Sequence, residues 1–352
     1  MERERDLTID ITKGITIFLM VWGHSIFGTF AWEKIYLFHM PLFFFISGFF
    51  FKNMSFVSYL KNKSQRLLFP FIFYWIFIRI WNIFSNLIIQ KANLKEISMY
   101  VKSEEFFPKT GPLWFLLCLF LLSIVSYFLI LKIPKKYHLL ILLVSITIAY
   151  LLPQQEGKFT FYYGQALLML PFYMAGYYFY NNNSSLYKSM TYSYRSYYIA
   201  IISGILLFVI PWQKMDVSVQ NWPNPISLYP GAVSGILFVL SVSKIISIRK
   251  GKTLEILSNW GRKSIHILGI HFPLMFLIWY ITIPIYMRTV TILGFTSPTG
   301  IQLRTNIWFA FVVCILTTII SYYLGCIIEK KIPWCFGIKK KYDFGNIKCL
   351  QW

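Results

Sequence analysis

Apolar runs of about 16 to 24 residues, separated by short basic connections, set the narrowest limit on what this chain can fold into. A run of that length spans a bilayer as a helix, and within hydrocarbon each backbone polar group has to find its partner inside the protein. Of the 352 residues, 57% are hydrophobic, 20% aromatic and 13% charged, which is too apolar for a soluble domain of this size. The chain therefore reads as an all-α polytopic membrane protein of about ten transmembrane helices, beginning near Ile15, Ile35, Leu67, Pro112, Tyr137, Phe161, Tyr197, Tyr229, Ser264 and Thr305.

The formal charge of +21 raises the question of nucleic acid, and the placement of the charge answers it. An even number of spans puts both termini on one side. With that side as the cytoplasm, 24 of the 34 lysines and arginines fall inside, in agreement with the positive-inside rule, and the basic residues orient the chain rather than bind nucleic acid. The first span follows the mixed-charge MERERD, lacks a small-residue cleavage site and is expected to be retained. Five cysteines show neither a disulfide framework nor zinc spacing, so no metal is expected. The expected division is a membrane domain over 1–329 and a short basic cytoplasmic tail over 330–352.

Chemistry enters with Asp10 to His24, DITKGITIFLMVWGH. Lys13 and His24 are eleven residues apart, close to three helical turns, so they share a face and lie about 16 Å apart along the axis. With the span starting at Ile15, His24 is expected near the bilayer centre, where an ionisable group marks function or a satisfied core histidine. All 13 acidic residues lie in termini, loops or span ends, so no deep carboxylate is expected and any base chemistry falls to histidine. In the next span, FHMPLFFFISGFFF, His39 comes out at the same depth as His24 when counted from the loop tip. It is either the second member of a site or an interface histidine bonded to a backbone carbonyl.

Lys63 and Arg66, at the mouth of span three, are one turn apart and read either as a phosphate site or as ordinary positive-inside flanking. Arg79 falls within that span and needs a polar cavity or a partner. Asp10, three residues before Lys13, is a candidate partner for it. Span nine supplies His266 and His271, the latter either lining a channel or packing. The outer connections Lys91 to Gly111 and Gln213 to Leu228 either cover an external substrate or are solvated loops, and the NNNSS run reads as a flexible inside loop.

Six segments, in order and spacing, resemble the acyltransferase family 3 membrane proteins, the fucose 4-O-acetylase-like branch in particular: RDLTIDITKGITIFLMVWGH, FHMPLFFFISGFFF, RLLFPF, GPLWFLLCLF, FYMAGYYF and WGRKSIHILGIHFPL. The resemblance implies a bacterial inner-membrane enzyme that moves an acyl group, commonly acetyl from acetyl-CoA, to a hydroxyl of a cell-surface polysaccharide or its lipid-linked precursor. A basic residue and a histidine with ten residues between them are required in that family, and map to Lys13 and His24. The family's basic pair maps to Lys63 and Arg66, and its fourth-span tryptophan to Trp114. Lys13 departs from the usual arginine, and no fused soluble domain follows. The implied mechanism has acyl-CoA entering from the cytoplasm, its phosphates near Lys13, Lys63 and Arg66. A glycan acceptor then arrives from outside, His24 acts as base or transient acyl carrier, and His39 or Arg79 stabilises the oxyanion, with His271 as a possible lining residue. The competing class is a transporter or flippase for a polysaccharide intermediate, which would usually carry the intramembrane carboxylates this chain lacks.

Overall fold

The computed structural model describes residues 6–26, 29–89, 91, 93–102, 111–152, 162–182, 187, 193–210, 215–219, 221–249, 251–292 and 306–338. Within them the chain is helical, and the one β pairing is an isolated bridge between Asp216 and Asn221. Glu104 and Glu105, Asn183 to Ser185, the expected span starts Phe161 and Thr305, and the tail beyond residue 338 lie outside the described residues. The other eight expected starts fall in helical residues.

Helix α1, Leu7–Ser25, is the centre of the packing and contacts helices from both halves of the chain. It begins eight residues ahead of the expected start at Ile15. Asp6 caps it by accepting from Thr8 N at 2.9 Å, and the hydroxyls of Thr12 and Thr16 turn back onto the carbonyls of Thr8 and Thr12. These bonds make a polar first half compatible with burial. Tyr187 donates its hydroxyl to Asp6 Oδ2 at 2.7 Å, and burial, then the Asp6 carboxylate, push its phenol above the usual range, which keeps it a donor.

Helix α2, Phe30–Phe49, returns antiparallel to α1. A run of α3, Phe56–Lys63, a π-helical turn Ser64–Leu68 and α4, Phe69–Phe84, forms one long helix, followed by the short α5, Leu94–Lys102. Then come α6, Trp114–Lys132; α7, His138–Leu151; α8, Tyr163–Tyr177; α9, Ser193–Val209; α10, Pro225–Ile248; α11, Lys252–Arg262; α12, Ser264–Ile292; and α13, Ile307–Lys331.

Among the described residues, five helices are long and apolar enough to cross a membrane: Phe56–Ile89, Gly111–Lys132, Pro225–Ile248, Ser264–Thr289 and Ile307–Lys331. That is half of the expected ten, for physical reasons that can be named. Helix α1 carries buried Thr8, Asp10, Thr12 and Thr16, while α7 and α8 are only 14 and 15 residues long. Apolar side chains cover the periphery, as on α9, where Ile201, Ile205 and Phe208 are exposed, and the chain is a multi-pass membrane protein.

The helices meet at small residues. A Cβ on Gly48 would lie 2.1 Å from the Tyr173 carbonyl oxygen and one on Gly176 1.8 Å from that of Phe45, so α2 and α8 touch backbone to backbone. Lys34, buried in the first turns of α2, donates to the carbonyls of Phe208 and Ile210 at 3.3 and 2.9 Å and closes the end of α9. The segment between spans eight and nine, expected as a basic loop, holds α11, whose apolar side lies along the first half of α1. The start of the tail also packs: Cys335 and Phe336 are buried, with Phe336 against Tyr74 and His266.

Candidate active site

The two histidines of the first hairpin line one cavity, about 30 Å³ in volume, with Met20, Tyr36, Met40, Pro112, Trp114, Leu268, Asp216, Val217 and Ser218 around them. Their heights differ from the expectation. His24 stands in the last turn of α1, one residue from its end, rather than at mid-span, because the helix starts at Leu7 and not at Ile15. His39 lies one turn deeper than Tyr36, the residue that meets His24, so the histidines are staggered rather than level. Counting from a loop tip at Ala31 and Trp32 misplaced them, since both residues already belong to α2.

The hydrogen bonds divide the roles of the rings. His39 donates Nδ1–H to the Ile35 carbonyl at 2.8 Å, which leaves Nε2 as the acceptor of a neutral ring. His271, fully buried in α12, gives Nδ1–H to the carbonyls of Ile267 and Leu268 at 3.1 and 2.9 Å, and its Nε2 has no partner among the described residues. His24 has a different kind of partner: Nδ1 is 3.1 Å from the Tyr36 hydroxyl. Its ring stacks on His271 at 5.4 Å between centroids and meets Phe272 edge-on at 5.5 Å. Tyr36 joins the two hairpin histidines, being edge-on to His39 at 5.0 Å.

Trp114, at the start of α6, is held between Phe44 and Tyr162, with centroids 6.4 and 5.9 Å away. Tyr162 itself has a left-handed backbone, φ 59°, an uncommon conformation for a side chain of its size, and accepts at its carbonyl from Cys118 Sγ. From the connection between α9 and α10, Asp216, Val217 and Ser218 form part of the cavity wall. Asp216 belongs to the loop acids of the sequence reading, and the fold brings it to the histidines from that loop rather than from a span.

The remaining candidates sit elsewhere. Lys13, on the α2-facing side of α1, holds its ammonium 4.3 Å over the ring of Phe50, the C-cap of α2. Lys63 lies 5.3 Å over Tyr59, whose ring packs on Phe51, so the same aromatic end of α2 carries both lysines. Arg66 is exposed, whereas Lys63 is partly buried. Arg66 lies within the π-helical turn Ser64–Leu68 that follows Lys63, and the two cations remain close enough for their charges to act on one another. Asp10 pairs with Arg262 Nε at 3.3 Å. Arg79 is buried with its guanidinium 5.5 Å from the Trp75 ring and is not among the described residues lining the cavity. His266 is not near His24 but in a separate network with Tyr74, Glu329 and Lys263.

A profile of the acyltransferase 3 family, described as an acyltransferase domain, matches residues 6–326. The chain belongs to that family. It is also similar to the nodulation protein NolL of Mesorhizobium japonicum, 31% identical over 132 residues, or 33% of this chain and 34% of the relative. The matched length is thus about a third of that curated relative. No solved structure matches the chain. The family's basic residue and histidine, here Lys13 and His24, both face α2, one near each of its ends. Tyr36, Asp216 and Ser218 went unnoticed in the sequence. Tyr36 had a signal, lying one turn before His39 on the same helix face, but a loop aspartate and serine had none.

Proposed function

We propose that this protein is a membrane O-acyltransferase that takes an acyl group, acetyl in the simplest case, from acyl-CoA at the cytoplasmic side and places it on a sugar hydroxyl of a cell-surface polysaccharide or its lipid-linked precursor. Ten crossings with both termini in the cytoplasm, in a bacterial inner membrane, complete the reading. The observation that carries it is the shared cavity of His24, Tyr36 and His39 at the end of α1 opposite Lys13.

In the tautomer that suits the chemistry, His24 gives Nδ1–H to the Tyr36 oxygen and keeps Nε2 free as a general base. Nε2 takes the proton of the acceptor hydroxyl as its oxygen bonds to the thioester carbonyl carbon. The C–S bond then breaks and the CoA thiolate leaves with that proton. Tyr36 keeps its own O–H and donates it to the developing oxyanion. Neutral His39 cannot fill that role, since its single N–H is bound to Ile35. Lys13, Lys63 and Arg66 contribute positive charge for the donor's phosphates at the inner end.

The test is acetyl transfer from labelled acetyl-CoA in membranes holding the wild type or His24→Ala. The variant should insert normally and lose transfer by at least about a hundredfold; activity near wild type would sink the assignment. Mass spectrometry of the surface polymer separates transport from transfer: loss of one acetyl per repeat supports the enzyme, and loss of the whole polymer supports a transporter.

A further inference from the structure

Asp216 is the one carboxylate among the described residues of the cavity wall, and its surroundings fix it in place. Its backbone N–H donates to the Asn221 carbonyl at 2.6 Å and its carbonyl accepts from Asn221 N at 3.0 Å, closing a short turn. Oδ1 accepts from both the N–H and the hydroxyl of Ser218. Met215, Val217 and Trp222 bury their side chains beneath the turn, and Gln165 and Tyr150 donate to the carbonyls of Ser218 and Pro223. Oδ1 is therefore spent on the turn. No ion pair among the described residues engages the carboxylate, and Oδ2 remains for a donor in the cavity that holds His24.

Resting on the acyl-transfer reading above, we propose that Asp216 is a specificity-determining residue: it reads the hydroxyl next to the one being acylated, so the acceptor is a vicinal diol of a sugar ring. The volume supports this. About 30 Å³ admits a hydroxyl-bearing edge and not a whole ring, so the ring stays at the wall formed by Asp216 and Ser218 while one hydroxyl reaches His24. An ionised carboxylate only accepts, which matches a hydroxyl donor and rejects an acceptor sugar that lacks one. Asp216 exchanges no proton. The reacting hydroxyl loses its hydrogen to His24, an ester C–O bond forms as the thioester C–S bond breaks, and the neighbouring hydroxyl keeps its hydrogen in the bond to Oδ2.

The experiment uses the full chain in proteoliposomes, acetyl-CoA, and a panel of methyl pyranosides, each paired with the monodeoxy analogue that lacks one hydroxyl beside the acylated position. For the wild type, kcat/KM should favour the diol by about 10- to 100-fold, the value of a hydrogen bond to a charged group. In Asp216→Asn, where the amide oxygen still accepts from Ser218, that ratio should collapse toward one; the ratio is insensitive to a general loss of activity. A diol preference that survives D216N overturns the proposal, as does a wild type that shows no preference, and this second result needs no variant to fold. A dependence on Asp216 confined to amino sugars would overturn it in favour of ammonium recognition. A wild type that acetylates no glycoside in the panel, with intact and labelled acetyl-CoA present, overturns the acyl-transfer reading itself.

Discussion

At the scale of single residues, the site depends on where each ring nitrogen sends its hydrogen. His39 and His271 both give Nδ1–H to carbonyls of the preceding turn, a local arrangement any helix can offer, whereas His24 is paired to a side chain. The Tyr36 hydroxyl is therefore the group whose loss separates packing from chemistry. Tyr36→Phe keeps the ring against Trp32 and His39 but leaves His24 Nδ1 without its partner and the oxyanion without a donor. Transfer should fall by about 10²-fold while acetyl-CoA binding is retained; a rate within threefold of wild type would remove Tyr36 from the mechanism. His24 was legible because a histidine in an apolar run is conspicuous. Tyr36 was not, because this chain has 24 tyrosines and nothing in composition distinguishes the one facing a histidine. Asp216 was hidden for the opposite reason: it lies in a loop, where an acid is unremarkable until the chain folds over the cavity.

Among elements, the most consequential contact is between α1 and α11. A Cβ on Gly14 would lie 1.9 Å from the Leu257 carbonyl oxygen and one on Gly261 1.8 Å from that of Asp10. Each obstacle is backbone, which cannot swing aside as a side chain does. Phe18 stacks on Trp260 at 5.7 Å, and Arg262 reaches Asp10 across the same seam. Gly261→Val should force the helices apart and lower the yield of folded protein severalfold in detergent, measured by size-exclusion chromatography; wild-type yield and melting would show that the seam gives way cheaply. A sequence reading cannot see this, since α11 is only 11 residues long and begins and ends in cations, so it passes for a positive-inside loop. Helices α4, α12 and α13 are joined differently. Tyr74 and His266 are 2.6 Å apart, His266 meets Glu329 at 2.6 Å, and Lys263 bonds both Glu329 oxygens at 2.7 Å. Glu329→Gln leaves Lys263 without its counter-charge in a partly buried setting, at a cost of about 2 kcal/mol after allowing for the solvent that reaches both partners. Thermal unfolding in detergent would record it as a lower midpoint, and an unchanged midpoint would mean that the network is screened to insignificance.

For the molecule as a whole, the site is arranged along α1, with Lys13 in its N-terminal half and His24 in its last turn. The segment that brings Asp216 to the cavity follows α9 and precedes α10, at the end of α1 away from Lys13. On the proposed reading, a donor anchored by its phosphates near Lys13 would have to span the eleven residues to His24, about 16 Å of helix, with its flexible arm. Sidedness follows from this geometry. A polyanionic donor cannot cross the apolar core, and the cavity by the outer loop is too small to pass its nucleotide, so acetyl-CoA should support transfer only when supplied to the face bearing Lys13. Proteoliposomes of known orientation make the measurement direct, with acetyl-CoA on one side and a soluble glycoside on the other. Transfer should require donor on the Lys13 face and acceptor on the loop face, and Lys13→Ala should raise the donor KM by about tenfold through loss of one phosphate contact. Equal transfer with both reactants on the loop face would mean that donor and acceptor enter through the same opening, and would remove the inner cations from the donor path.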